Sequence, residues 1–364
     1  MINSSFWCGK RVLLTGHTGF KGSWLLLWLQ ELGAHVWTFA LDPEPSPNLF
    51  RSLVLERPPG KGWQHQIGDL ADLEALRSLV KISQPEVVLH LAAQSLVRRS
   101  YQDPLGTWST NVLGSLHLLE ALKMLNHHCA VVMVTTDKVY ENQEWVHGYR
   151  ETDRLGGYDP YSASKAAVEI AISSWRSSFC GSASHQTPFL KIATARAGNV
   201  IGGGDWSHNR ILPDAMRALI RGESIPVRNS SATRPWQHVI EPLGGYLRLA
   251  EALALDMVAP CESFNFGPKL ESNKTVRELI ATILEIWPGD WFDASEPGAP
   301  HEANLLHLQI DKAHHRLGWQ PCWDYSTTIS RTVRWYQAVH EGSSPVTCCL
   351  SDLDAYLDSC IFQS

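Results

Sequence analysis

The sequence predicts an α/β protein built on a doubly wound parallel sheet, followed by a smaller, mixed α/β C-terminal region. Short apolar runs alternate with longer helix-period segments through the first half, and a glycine-spaced turn sits at the first junction between the two. After about residue 195 the alternation loosens into segments rich in Gly, Pro and Arg. Strand–helix–strand alternation implies parallel pairing, because a parallel crossover needs a connection long enough to return to the same edge.

The strands expected in order are "RVLLT" (Arg11 to Thr15), "HVWTFAL" (35–41), "WQHQIGD" (63–69), "EVVLHLA" (86–92), "AVVMVTT" (130–136) and "FLKIATA" (189–195), with helices between them. Residues 1–194 are expected to form a nucleotide-binding domain, segments near 234–267 returning to it. Residues 195–364 are expected to form the smaller region. Such sheets bind ligands outside the carboxyl ends of their strands.

At 364 residues, 44% apolar and 19% charged, the composition is that of a globular enzyme. A formal net charge of −6 without a run of Lys or Arg gives no electrostatic footprint for nucleic acid or an anionic membrane. The N-terminus enters a strand almost at once and lacks a signal-peptide pattern, and "WLLLWL" is too short to span a bilayer, so a cytoplasmic protein is expected. The eight cysteines are scattered without a C-x-x-C pair, which reads as reduced packing residues and no metal site. Several of the fifteen Trp stand at helical spacing among Leu and read as core.

"TGHTGFKG" follows the first strand and opens the first helix. Gly16, Gly19 and Gly22 suit a Rossmann-type dinucleotide turn: the first for a tight turn, the middle for close backbone approach to a pyrophosphate, the last for helix–sheet packing. His17, Thr18 and Phe20 complete the turn. Asp42, at the end of the second strand, stands near the spacing at which a carboxylate accepts from an adenosine ribose. No Arg or Lys follows immediately to hold a 2′-phosphate, so NAD is expected rather than NADP. Asp69 and Leu70 end the third strand, where the acid can meet the adenine amine or cap the next helix. Ala92 and Ala93 end the fourth and leave space for the cofactor, and Asn111 completes the expected cofactor set.

"YDPYSASK" places Tyr161 and Lys165 four apart, on one face of a helix. A neighbouring ammonium favours the phenolate and makes the Tyr a base near neutral pH. Thr136, at the tip of the fifth strand, can orient a sugar oxygen. Directly behind it stand Asp137 and Lys138, an acid and a base with no need to be there in a plain turn.

These motifs resemble the nucleotide-sugar branch of the extended short-chain dehydrogenase/reductases. The longer stretches "TGHTGFKGSWL", "LAAQSLVRRSY", "TTDKVYENQEWVHGYRE", "RAGNVIGGGDW" and "RPWQHVIEPLGGYLRLAE" resemble, within that branch, the enzymes that dehydrate CDP-glucose. The resemblance covers most of the chain from residue 15 to 251, with "NFGP" and "HEA" beyond it.

It implies NAD-dependent conversion of CDP-D-glucose to CDP-4-dehydro-6-deoxy-D-glucose, in a homo-oligomer packed through helices flanking the sheet. Oxidation at C4 acidifies the C5 proton, water leaves across C5 and C6, and hydride returns to C6. By the same resemblance Thr136, Tyr161 and Lys165 serve the redox step, with Tyr161 and Lys165 also touching the cofactor. Asp137 protonates the departing C6 hydroxyl. Lys138 removes the C5 proton if its pKa is depressed, or supports the enolate as a cation.

The implied substrate residues are Gln94, Arg196, Asn199, Asp205, Arg210, Arg234, Gln237, His238 and His301, the arginines suiting bidentate contact with a diphosphate. Ala163, where several relatives carry Asn, and Val139, where some carry Cys, depart from the pattern without removing a functional group. A nucleotide-sugar 4-epimerase shares the turn and the Tyr-Lys pair but needs no acid and base for C5 and C6. A non-catalytic NAD-binding protein needs neither set. The cytosine preference comes from resemblance alone.

Overall fold

The computed structural model describes residues 2–43, 47–60, 62–180, 189–258, 262–295 and 305–361. Its centre is a wholly parallel seven-stranded sheet: β1 (Arg11–Thr15), β2 (His35–Ala40), β3 (Trp63–Ile67), β4 (Val87–His90), β5 (Cys129–Val134), β6 (Leu190–Ala197) and β7 (Ser263–Phe266). The strand order is β7-β6-β5-β4-β1-β2-β3. The six expected strands all form, with ends shifted by a residue or two where the chain turns into a loop.

The seventh strand was not legible. "SFNF" is short and interrupted by Asn265, yet Phe264 and Phe266 are fully buried against the sheet edge. Asn265 is buried as well, and its backbone N–H donates to Glu151 at 2.9 Å. The partner that makes the segment a strand is β6, far away in sequence.

Helices cover both faces. The main ones are α1 (Phe20–Glu31), α2 (Leu73–Ser83), α3 (Gly114–Leu122), α4 (Pro160–Phe179), α5 (Ile211–Arg221), α6 (Ile240–Ala254), α7 (Tyr325–His340) and α8 (Pro345–Ile361). The sheet's alternating side chains split its core into two apolar clusters. Val12, Leu14, Val87, Leu89 and Val132 point to one face, where α1 and α6 pack. Leu13, Val88, Val131 and Met133 point to the other, under α2, α3 and α4. Helix α6 carries no solvated stripe: nearly every residue from Ile240 to Leu253 is buried, as fits a helix enclosed between the sheet and the C-terminal helices. Trp7, Trp24 and Trp28 lie in the same layer, as the tryptophan spacing implies.

The order of strands reverses between β1 and β4, whose ends meet at Thr15 and His90. The Thr15 hydroxyl and His90 Nδ1 are 2.7 Å apart there. A crevice at such a reversal is where an open parallel sheet receives ligands.

One expectation is corrected. Cys322 and Cys360, read as reduced packing residues, are joined by a disulfide, their Cα atoms 5.6 Å apart. Helix α8 folds its end back onto the segment before α7, a proximity that sequence spacing does not contain. At the same seam the buried Glu241 carboxylate accepts from the backbone N–H of Cys322 (3.0 Å) and Trp323 (2.7 Å) and from the Tyr356 hydroxyl (3.1 Å). No described helix is long and apolar enough to cross a membrane, and no described group of His, Cys, Asp and Glu has the arrangement of a metal site.

Candidate active site

The glycine turn packs as its spacing predicts. Gly16 sits at φ 78°, and a Cβ there would lie 2.6 Å from the Ala92 nitrogen. A Cβ on Gly22 would lie 2.0 Å from the Gly16 carbonyl oxygen, so only glycine lets α1 start this close to β1. Gly19, the N-cap of α1, has no side-chain cap, which leaves the start of a 12-residue helix, with its positive dipole end, uncapped directly after β1 and the turn.

Around the turn, the Thr18 hydroxyl donates to the Leu41 carbonyl at 3.0 Å. Asp42 is exposed at the end of β2. Asp69 accepts from the Ala71 N–H at 2.9 Å, while Asp72, not Asp69, caps the following helix. The His17 ring is fully buried, edge-on to Phe50 and His65, with Nε2 2.8 Å from His65 Nδ1. Burial pulls its pKa to about 3, so the ring is neutral and only its backbone faces the crevice.

The Tyr-Lys helix is set by its first residues. Asp159 caps α4, accepting from the Ser162 N–H at 2.9 Å, and Pro160 occupies the first turn. Asn111 pins this helix to the loop after β4: its amide donates to Ser164 Oγ at 2.9 Å and accepts from the Gln94 N–H at 2.8 Å. Gln94 turns its own amide back to Leu96 and Thr107. Asn111 lies in a π-helical turn, Ser109–Leu113, a distortion that often marks functional sites.

Strand β5 ends at Val134, and Thr136 caps a 3₁₀ turn, Asp137–Val139, its hydroxyl donating to Asp137 Oδ1 at 3.0 Å. Thr136, Asp137, Tyr161 and Lys165 are all buried, between 5% and 7% exposed, so they face an enclosed space rather than bulk water. Desolvation pushes the Tyr161 phenol up to about 12, against the Thr136 hydrogen bond and the Arg210 guanidinium, which pull it down. The expectation that Lys165 lowers this phenol is not met here: Lys165 Nζ donates to the Val134 carbonyl at 3.1 Å. Burial lowers Lys165 itself to about 8. Asp137 is raised by burial, which outweighs Lys138, Thr136, Lys21 and Arg234 beside it.

Asp137 and Lys138 line a small pocket with Asn199, Arg234, Pro235 and Leu306. The loop after β6 reaches Asp137 through Gly198, where a Cβ would lie 2.7 Å from Asp137 Oδ2. Asp205 is buried and pairs with Arg210 at 3.0 Å, which holds that guanidinium near Tyr161.

Three expected substrate residues are corrected. Arg196 is 3% exposed and committed to Glu169 at 2.8 Å and to the Tyr140 hydroxyl at 2.8 Å. Gln237 is buried, its amide 3.4 Å from the Phe266 carbonyl. His238 is fully buried between Trp24 and Trp323, with its pKa pulled by burial to about 3. All three hold the later segments to the sheet. His301 lies outside the described residues.

Sequence reasoning missed Lys21. Its ammonium approaches the Tyr246 hydroxyl at 3.4 Å, and burial, with Arg210 nearby, lowers its pKa to about 8. The signal was present: one cation in the first turn of an otherwise apolar helix, between Gly19 and Gly22.

Comparison with known proteins places this geometry. The family model described as GDP-mannose 4,6 dehydratase matches residues 13–332. A CDP-glucose 4,6-dehydratase of Salmonella typhimurium is 44% identical over 361 residues, covering 99% of both chains. A dTDP-glucose 4,6-dehydratase of Xanthomonas campestris is 27% identical, over 89% of this chain and 92% of the relative. A crystal structure of a dTDP-glucose 4,6-dehydratase from Streptomyces venezuelae with NAD and TYD bound superposes with a TM-score of 0.75 at 24% identity, covering 92% and 99% of the two chains, a likeness of fold. The chain belongs to the GDP-mannose 4,6 dehydratase family, in keeping with the resemblance read from its motifs.

Proposed function

We propose that this family member converts CDP-D-glucose to CDP-4-dehydro-6-deoxy-D-glucose with NAD as resident cofactor. The observation that carries the reading is that Thr136 and Asp137 both act on the buried Tyr161, one turn from Lys165 on α4, while Asp137 shares a small pocket with Lys138. A 4-epimerase needs the set Thr136, Tyr161 and Lys165 alone.

The glycine cradle fits a dinucleotide: a Cβ at Gly16 or Gly22 would collide with backbone, while the helix start at Gly19 is open. Gly16, Thr18, Gly19 and Phe20 would hold the pyrophosphate, with Asp42 on the ribose and Asp69 and Leu70 near the base. Bound there, NAD would supply the hydride chemistry, oxidation at C4 and reduction at C6. Tyr161, as the phenolate that the Thr136 hydrogen bond and the Arg210 guanidinium favour against its burial, takes the proton of the 4-hydroxyl, and Thr136 orients that oxygen. Asp137, kept protonated more readily by its burial, hands its proton to the C6 hydroxyl as it leaves. Lys138 takes the C5 proton or offsets the enolate charge. Arg210 and Arg234 face the diphosphate.

The same reading divides the chain into a cofactor domain, 1–194, and a smaller region, 195–364, with segments near 234–267 returning to the first. Support comes from β7, paired with β6, and from α6, packed on β5 and β6. The same reading takes the protein to be a homo-oligomer, joined across Val97–Gln102, Pro104–Trp108 and α4. Leu105 (82% exposed) and Ile170 (60%) leave apolar surface there for a second copy.

Incubating the purified protein with CDP-, dTDP-, UDP- and GDP-hexoses tests the reading. A 4-keto-6-deoxy product from CDP-glucose without net accumulation of reduced cofactor is expected. A C4 epimer, or a preference for dTDP-glucose, would sink it.

A further inference from the structure

A cavity of about 560 Å³ lies between α5 and the paired short strands Ile225–Val227 and Trp291–Asp293, and Asn209, the neighbour of Arg210, lines it. Helix α5 links the cavity to the crevice. Arg210, its N-cap, influences Tyr161, and Arg221, its last residue, lines the cavity. At the rise of an α-helix these ends stand roughly 16 Å apart along the axis, the reach of an extended nucleotide sugar whose hexose lies at Tyr161.

Most of the charged groups in the cavity are held by its own walls. Asp214 sits between Arg217 and Arg228, the latter at 3.3 Å. Arg217 also donates to the Trp206 carbonyl at 2.9 Å, and Arg228 to Asn209 at 2.9 Å. Arg221 and Glu223 also line the cavity, at an exposed rim. They pair with each other at 2.9 Å, their side chains 60% and 57% exposed, on either side of Gly222, whose φ of 68° turns the chain at the end of α5. With Nε and Nη2 of Arg221 both on Glu223 Oε2, the pair presents Glu223 Oε1 as an acceptor and the outer N–H groups of the guanidinium as donors side by side.

We infer that Glu223 and Arg221 are the residues that select cytosine: the Glu223 carboxylate accepts from the exocyclic 4-amino group while the Arg221 guanidinium donates to N3 and O2. This rests on the substrate reading above. Uracil and thymine reverse the pattern. Their 4-carbonyl would face the carboxylate and their N3–H the guanidinium, leaving those two positions mismatched while O2 still accepts. A paired acceptor and donor against a base edge gives discrimination of roughly 10- to 100-fold.

The test is titration of the protein with CDP and with UDP, alone and without turnover, for the unsubstituted chain and for the Glu223→Ala and Arg221→Ala variants. Expected is a CDP preference in the unsubstituted chain that falls at least roughly tenfold in Glu223→Ala and falls in Arg221→Ala. A CDP preference that survives Glu223→Ala overturns the inference and leaves the substrate reading standing. Equal binding of CDP and UDP by the unsubstituted chain overturns the cytosine preference on which both rest. Because both side chains are largely exposed, neither substitution removes a core contact.

Discussion

The two halves of the crevice are made of different materials. The cofactor half is mainly backbone: a left-handed glycine, a close helix–strand contact and the uncapped N–H groups of α1. The substrate half is made of charged side chains on loops after β6, and its geometry depends on which partner each charge finds. Arg196 and Arg210 show the difference. They lie on neighbouring stretches of chain, yet one is locked to Glu169 inside the fold and the other is held by Asp205 at the crevice. A glycine pattern therefore translates directly into a site, whereas an arginine does so only where the carboxylate that holds it stands at the crevice, as Asp205 does and Glu169 does not.

The largest expected effect is in the crevice itself. Tyr161→Phe should lower kcat roughly 10³-fold, and Asp137→Asn roughly 10²-fold. The two are separable in single-turnover absorbance: with Asp137→Asn the reduced cofactor should accumulate after oxidation at C4, and with Tyr161→Phe it should not form. Accumulation in neither variant would break the assignment of Asp137 to the elimination step.

The two arginine classes are expected to separate next. Arg196→Met leaves Glu169 buried without its cation and should cost about 3–5 kcal/mol in urea unfolding. Glu169 is held below its usual range because Arg196 and the Thr135 and Thr194 hydroxyls outweigh its burial. Arg234→Met, at a half-buried position in the Asp137–Lys138 pocket, should cost clearly less in unfolding than Arg196→Met and raise KM. Similar unfolding losses in the two variants would erase the distinction.

The smallest effect concerns the seam that ties the later segments to the sheet. His238 is pulled by burial from 6.5 to about 3, so its contribution to stability is full above pH 6.5 and is lost as pH falls towards 3. Glu241 is raised by burial from 4.5 to about 7, so its contribution is full below pH 4.5 and is lost as pH rises through 7. His238→Gln should flatten the acid arm of unfolding free energy against pH, and Glu241→Gln the arm between pH 4.5 and 7. Parallel pH profiles for both variants would contradict the opposite signs.

The sequence by itself determined the parallel sheet, its first six strands, the glycine turn and the Thr136–Asp137–Lys138 and Tyr161–Lys165 groups. These rest on local rules: period-2 and period-3.6 burial, the φ that only glycine tolerates, and a one-turn spacing on a helix. Tertiary structure alone decided the rest. It made "SFNF" a strand through β6, joined Cys322 to Cys360 and moved Arg196, Gln237 and His238 into the core. It also turned Lys21 toward Tyr246 and brought Phe292 and Ala294 across from α5 to close a cavity. The physical reason is that a charge or a thiol has no fixed meaning until its neighbours set its solvation and its partner, and those neighbours come from distant parts of the chain.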